Sequence, residues 1–274
     1  MSPQFRTASV YILLSTSWIW FSDRALNAVV QGQFDVTVLQ SIKGGVFVLA
    51  TGALLYWMVG RDLRRLEQAN ESLLRGHEQS MRVIVSAMDL RHKETGDHSE
   101  RVTRMATGLA RLAGIRDDAL HQLKMGALLH DIGKLTIPDT VLLKPGKLDD
   151  EEMALMRQHA KVGHDLLQKV DFLRDAGDIP HSHHERWDGT GYPQGLRGEQ
   201  IPLAARIFSV VDVWDALIMP RVYKPGWPEK EVLDYLRDAA GTQLDPKLVQ
   251  LFIDHYEELR ELGLGSRRVD LSGA

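Results

Sequence analysis

His130-Asp131, within the run ALLHDIGK from Ala127 to Lys134, sets an imidazole beside a carboxylate at the end of an apolar helical stretch. Successive side chains on a helix point ~100° apart and cannot face one point. Two adjacent metal ions would use that divergence, with the carboxylate of Asp131 bridging them. Gly133 is expected to close the helix, and Lys134 sets a cation beside whatever the ions hold. Taken alone, a His-Asp pair means little, since a helix-end histidine often pairs with its neighbour. Further donors recur along the chain: Glu94 and His98, which share a face if helical; His159; His183 with His184; and Asp212. Asp212 follows Phe208, Val210 and Val211, where an unpaired carboxylate would be costly to bury. Nine of the eleven histidines fall between His92 and His184, and there is no cysteine, so any metal must sit on imidazole and carboxylate.

The segment HSHHERWDGTGYPQG, His181 to Gly195, leaves a choice open. If His183 and His184 lie on a helix, their rings diverge and serve different ions; if the backbone is already turning, both hold one. His181 reads as a bystander and Glu185 as a support for the ligands. The elements that must position these residues are helical. Apolar periodicity predicts helices over 101–112, 118–129, 149–170, 204–217, 228–239 and 246–262, with no strand alternation surviving between them. Asp149 and Asp150 suit a helix start, and Pro228 and Pro246 fall at first turns. The body is predicted to be an all-α bundle occupying residues 89–274.

Ahead of it stand two uncharged apolar stretches, Ala8 to Phe21 and Gly44 to Gly60, read as two transmembrane helices in an anchor or sensory module over residues 1–60. The first is short for a span and has two other readings, a buried hairpin helix or a secretory signal. Arg61, Arg64 and Arg65 directly follow the second stretch, which places both termini in the cytoplasm by the positive-inside rule. Residues 61–88 read as a helical stalk. Leu63, Leu66, Leu73 and Ile84 lie near a heptad seam that Asn70, His77 and Ser80 interrupt, so a dimerising stalk and a single packed helix remain equal readings. A formal net charge of −4 gives no basic footprint for duplex nucleic acid.

The ordered set His130-Asp131-Ile132-Gly133-Lys134, His159, His183-His184-Glu185, Asp188-Gly189-Thr190-Gly191-Tyr192-Pro193 and Asp212 to Leu217 resembles the HD-GYP subgroup of the HD-superfamily metal phosphohydrolases over roughly residues 85 to 255. The resemblance implies a helical bundle holding two or three divalent ions, iron or manganese, that hydrolyses the bacterial second messenger cyclic di-GMP to pGpG, GMP or both. On it, Glu94, His98, His130, Asp131, His159, His183, His184 and Asp212 fall on metal-ligand positions, Glu94 matching members with three ions. Asp131 and Lys134 carry catalysis, while Gly189, Gly191, Tyr192, Pro193, Arg221 and Lys224 lie near the substrate, with Tyr192 able to stack a base. The segment Ile218-Met219-Pro220-Arg221-Val222-Tyr223-Lys224 departs from the usual pattern, as does Gln243-Leu244, and these changes bear on substrate preference. Two alternatives follow: a phosphodiesterase for another cyclic dinucleotide such as cyclic GMP-AMP, and a non-catalytic nucleotide-binding scaffold. The N-terminal hairpin is similar to a two-span module found ahead of bacterial signalling domains, implying an inner-membrane address with the catalytic domain cytoplasmic. Expected partners are the dinucleotide, the lipid bilayer, a second copy through the stalk, and a diguanylate cyclase.

Overall fold

The computed structural model describes residues 3–29, 36–92, 98–220 and 225–265. Among them every regular element is helical, and the one pairing of strand type is an isolated bridge between Ala240 and Leu244. The chain divides into two compact units, Met1–Glu78 and Gln79–Ala274.

The first unit is a helical hairpin of α1 (Pro3–Val29) and the leading part of α2 (Val36–His92). Arg6 pairs with Asp62 at 3.1 Å, Trp18 stacks on Phe47 with centroids 6.2 Å apart, and Asp23 pairs with Lys43. Partners advance along one helix as they retreat along the other, so the two run antiparallel. Ile12, Leu13 and Phe21 on α1, and Val48, Leu49 and Tyr56 on α2, stand exposed. Among the described residues one helix, α2, is long and apolar enough to cross a membrane, judged by length and composition. The predicted first span on α1 does not meet that measure.

In the second unit the last turns of α2 are followed by α3 (His98–Leu112), α4 (Asp117–Leu128), a 3-10 turn (Ile132–Thr136), α5 (Asp139–Leu142) and α6 (Asp150–Leu167). A second 3-10 turn (Asp171–Gly177) leads into α7 (Asp178–Ser182), and a third (Gly198–Gln200) precedes α8 (Leu203–Ile218). The unit ends with α9 (Glu229–Ala239), α10 (Pro246–Asp254) and α11 (Tyr256–Leu264). Caps explain several boundaries. Asp149 and Glu152 form a reciprocal capping box before α6, and Asp245 accepts from the amides of Lys247 and Leu248 with Pro246 in the first turn of α10.

The single helix predicted over 246–262 is two helices. His255 leaves helical geometry at φ −114°, ψ 23°, and the break lets α11 lie along α3, where Arg104 donates to the carbonyls of Leu262 and Gly263 at 2.9 Å. Periodicity cannot register such a break, because the apolar positions resume in step on its far side.

Two apolar clusters frame the site. One gathers Met105, Leu109, Phe208, Trp214 and Phe252; the other gathers Val85, Met88, Leu128, Leu129, Ile132 and Leu173. α8 is the central element, its Phe208, Val210, Val211 and Trp214 essentially sealed from solvent. Ser209 and Asp212, one turn apart, break its apolar surface on one side.

Candidate metal centre

His130 and Asp131 lie just beyond the last turn of α4, which ends at Leu128. Gly133 does not close that helix as the sequence predicted. It sits inside the 3-10 turn, where a Cβ would fall 2.0 Å from the carbonyl oxygen of His159 and 2.7 Å from the amide of Gly163. The missing side chain lets the turn press against α6, and this approach brings Asp131 to His159.

The donors form two triads, His98 with His130 and Asp212, and His159 with His183 and His184, each with ligand atoms within 4.8 Å of one another. Asp131 stands between them. Its Oδ2 is 3.2 Å from Nε2 of His130, and its Oδ1 is 3.5 Å from Nε2 of His159 and 4.0 Å from Nε2 of His183. One carboxylate oxygen thus faces each triad. Lys134 pairs with Asp131 through Oδ2. The choice left open at His183-His184 resolves toward one group. His183 follows the last residue of α7, the chain is turning there, and both rings join His159. His181 stacks on His164, centroids 4.4 Å apart, and belongs to neither triad. Glu94, Arg221 and Lys224 lie outside the described residues.

Hydrogen bonds orient four of the five histidines. Nδ1 of His130 bonds the carbonyl of Ala127 at 2.9 Å, that of His159 the carbonyl of Met156 at 2.6 Å, and that of His183 the carbonyl of Ile179 at 2.9 Å. A carbonyl only accepts, so each Nδ1 carries hydrogen and each neutral ring offers a bare Nε2. His98 directs Nδ1 to Asp215 at 2.7 Å, and Arg101 holds that carboxylate from the other side with both Nε and Nη2. Asp215 and Arg101, both buried, hold His98 in this way; the sequence reading gave neither a role, although Asp215 stood in its segment Asp212 to Leu217. The spacing of Asp215 three residues after Asp212 was the available signal.

Metal fits this arrangement on the structure's own terms. Oδ1 of Asp131, Nε2 of His159 and Nε2 of His183 are buried and have no hydrogen-bond partner. Stranded acceptors that converge within about 4 Å would repel one another unless a cation or proton lay between them.

The two triads differ electrostatically. Burial pushes His130 down, but the charge and hydrogen bond of Asp131, with Asp212 behind them, outweigh it and raise His130 to about 9. His98 is likewise raised, burial being overcome by the hydrogen bond to Asp215 and the charge of Asp212. In the other triad burial wins. It holds His159 down despite Asp131, and with the charge of His184 it drives His183 well below the usual imidazole range. Burial and His159 bring His184 to about 3. Asp131 resists burial because Lys134 and His130 stabilise its charge, and its carboxyl titrates well below the usual range. Burial raises Asp212, with His98 offsetting only part of the effect.

A cavity of about 260 Å³ opens beside the centre, bordered by Arg157, His184, Arg186, Tyr192, Asp212 and Gln243. Its loop wall is tied down. The buried carboxylate of Glu185 accepts from the amides of Gln194, Gly195 and Leu196 at 2.7 to 3.1 Å. Trp187 and Asp188 donate to the carbonyls of Gln243 and Thr242 at 3.1 and 2.8 Å. Gly189 holds φ +81°, and a Cβ on Gly191 would fall 2.4 Å from the amide of Arg186. Tyr192 precedes a cis bond to Pro193. Its ring stacks on His184, centroids 4.7 Å apart, with the guanidinium of Arg157 over it at 5.0 Å. Arg157 and Arg186 are cavity residues to which the sequence reading gave no role, while Gln243 lies in a segment it had tied to substrate preference.

The HD domain family model matches residues 82–248. The chain is 40% identical over 177 residues to the 3'3'-cGAMP-specific phosphodiesterase 2 of Vibrio cholerae, covering 64% of this chain and 34% of that protein. It is 39% identical over 203 residues to the cyclic di-GMP phosphodiesterase response regulator RpfG of Xanthomonas campestris, covering 73% and 53%. The chain therefore spans about a third to a half of the length of these curated relatives. The crystal structure of a cyclic GMP-AMP specific phosphodiesterase of V. cholerae superposes with a TM-score of 0.54 at 21% identity, over 69% of this chain and 50% of that one, a likeness of fold alone.

Proposed function

Because the chain belongs to the HD domain family, whose model covers residues 82–248, we propose that it is a metal-dependent phosphodiesterase, anchored in the bacterial inner membrane, that hydrolyses cyclic di-GMP to pGpG, GMP or both. The observation that carries this reading is Asp131, one oxygen toward each of two donor triads, beside a cavity edged by Arg157 and Arg186. His98, His130 and Asp212 would hold one ion, His159, His183 and His184 a second, and Asp131 would join the two. Glu94 is assigned to a third. Imidazole and carboxylate donors suit iron and manganese. Such ions supply Lewis acidity toward a phosphodiester oxygen and lower the pKa of water.

The chain's own residues do the rest. Lys134, against Asp131, adds positive charge where negative charge builds in the transition state. Arg157 and Arg186, together with Arg221 and Lys224, attract the dianionic substrate to the cavity. Gly189, Gly191, Tyr192 and Pro193 form the wall against which it lies. The stapled loop keeps that wall in register with the donors, which limits the reorganisation needed on binding.

The hairpin of α1 and α2 is assigned to the bilayer as two spans, supported by the apolar side chains it exposes and by Arg61, Arg64 and Arg65 at the end of the second stretch. The catalytic unit then faces the cytoplasm. A second copy is assigned to the exposed Leu63, Leu66 and Leu73 of the stalk, and a diguanylate cyclase to the loop over 189–193. The full chain, purified in detergent and loaded with manganese or iron, is expected to linearise cyclic di-GMP. Absence of turnover with either metal overturns the proposal.

Cyclic GMP-AMP is the second substrate to test, since a relative 40% identical bears that specificity in its name. Competition between the two dinucleotides at equal concentration separates the readings.

A further inference from the structure

Four of the five triad histidines are oriented by a hydrogen bond at Nδ1, three to carbonyls and one to Asp215. His184 is the exception. Among the described residues no hydrogen bond reaches its ring, although it lies at the cavity edge where a loose imidazole would be free to rotate. What holds it is aromatic. Tyr192 stacks on it at 4.7 Å with planes 26° apart, His159 meets it edge-on at 5.1 Å and 85°, and the neighbouring His183 ring lies tilted at 3.9 Å and 42°. The two partners of the stack are also joined through the backbone, the amide of Tyr192 donating to the carbonyl of His184 at 3.2 Å. Gly191 makes this return possible, since a Cβ there would fall 2.6 Å from that same oxygen.

The stack has a further support. Arg157 sets its guanidinium over the Tyr192 ring at 5.0 Å, and it lies two residues before His159 on α6. One helix therefore supplies both a donor of the histidine triad and the cation that steadies the ring beside another. A metal-bound histidine needs its ring orientation fixed, commonly by a group bonded to the nitrogen that does not bind metal. We propose that Tyr192 is the positioning residue for His184, braced by Arg157, and that the loop is thereby wired to the ion of the histidine triad. This rests on the metal-binding half of the proposed function and not on the identity of the substrate. A molecule that pulls Tyr192 away would loosen that ion and leave the one at His98, His130 and Asp212 in place.

The test uses the full chain in detergent, stripped of metal and titrated with manganese alone against a competing chelator, with bound metal counted by mass spectrometry. Tyr192→Phe, which keeps the ring, is expected to bind manganese within about twofold of wild type. Tyr192→Leu is expected to weaken one ion by roughly 10- to 100-fold and spare the other. Arg157→Met is expected to weaken the same ion less, and the metal-free melting temperatures of all three should match wild type. Wild-type affinity for both ions in Tyr192→Leu overturns the proposal, as does equal loss in Tyr192→Leu and Tyr192→Phe. Should Tyr192→Leu lack a metal-free melting transition, exposed Arg157 carries the test, and wild-type affinity in Arg157→Met overturns the brace. A wild-type chain that binds manganese yet cleaves no cyclic dinucleotide sinks the proposed activity and leaves this inference standing.

Discussion

The triad of His98, His130 and Asp212 and the triad of His159, His183 and His184 share Asp131 between them, and each groups three donors within 4.8 Å. In the first, carboxylates dominate: Asp212 is a member, Asp215 backs His98, and Oδ2 of Asp131 faces His130. Both its histidines favour the proton. In the second, three imidazoles meet only Oδ1 of Asp131 as a counter-charge, and burial keeps all three neutral. The difference teaches how one buried site can hold two cations unequally. A metal entering the first triad must displace a proton, while the second presents bare lone pairs from the start.

The largest expected effect comes from the residue the triads share. Asp131→Asn should lower cyclic di-GMP hydrolysis by roughly 10³-fold, and manganese retained after dialysis should fall at both triads. Retention of one ion at full occupancy would mean that Asp131 serves a single triad. Next come the single-donor variants, which ask whether the triads are separable. His183→Ala should cost the histidine triad its ion and Asp212→Ala the other, each leaving one manganese fewer per chain than wild type by mass spectrometry. Loss of both ions in either variant would merge the two into one site.

Smaller is the effect of Asp215→Asn, which removes the charge behind His98 while keeping its shape. Manganese affinity at the carboxylate-rich triad should drop by about 10- to 100-fold, with the histidine triad unchanged. Smallest, taken one pH unit at a time, is the response to pH, about tenfold in affinity while one proton is displaced. His130 titrates at about 9 in the folded metal-free protein against 6.5 in an unfolded chain. Binding at its triad should strengthen as pH climbs between those values, and the histidine triad should stay flat above pH 6.5. The same shift bears on stability. A raised folded-state pKa stabilises fully below the unfolded value, and that contribution fades as pH rises through 9, so the metal-free melting temperature should decline between pH 6.5 and 9. Calorimetry of His130→Gln, expected to show a smaller decline because only the raised His98 then remains, checks the assignment.

Helical architecture was legible because apolar periodicity and caps agree along most of the second unit. The capping box at Asp149 and the proline start of α10 stand where composition put them. The break at His255 was not legible, because its cause is the docking of α11 on α3, a contact between segments far apart in the chain. Among site residues, His98, His130, Asp131, His159, His183, His184 and Asp212 were marked by type and all come together. Asp215 and Arg101 were given no role. An aspartate on a helix and an arginine on another carry no sign of their pairing until α3 and α8 pack. Gly133 was misjudged for a similar reason, its role being set by α6 against it rather than by its own backbone angles.

The sequence by itself determined the donor inventory. Without cysteine and with histidines concentrated over 92–184, only an imidazole and carboxylate centre was available, on helices whose apolar faces were already written. How those donors divide was decided only in three dimensions. His130 and Asp131 are chain neighbours, yet His130 joins one triad while Asp131 reaches both. His183 and His184, also neighbours, stay together because α7 ends before them. Chain order constrains which side chains are near in sequence. The groups that share a cation are chosen by where the helices end and by how closely glycine lets them approach, and both are outcomes of packing.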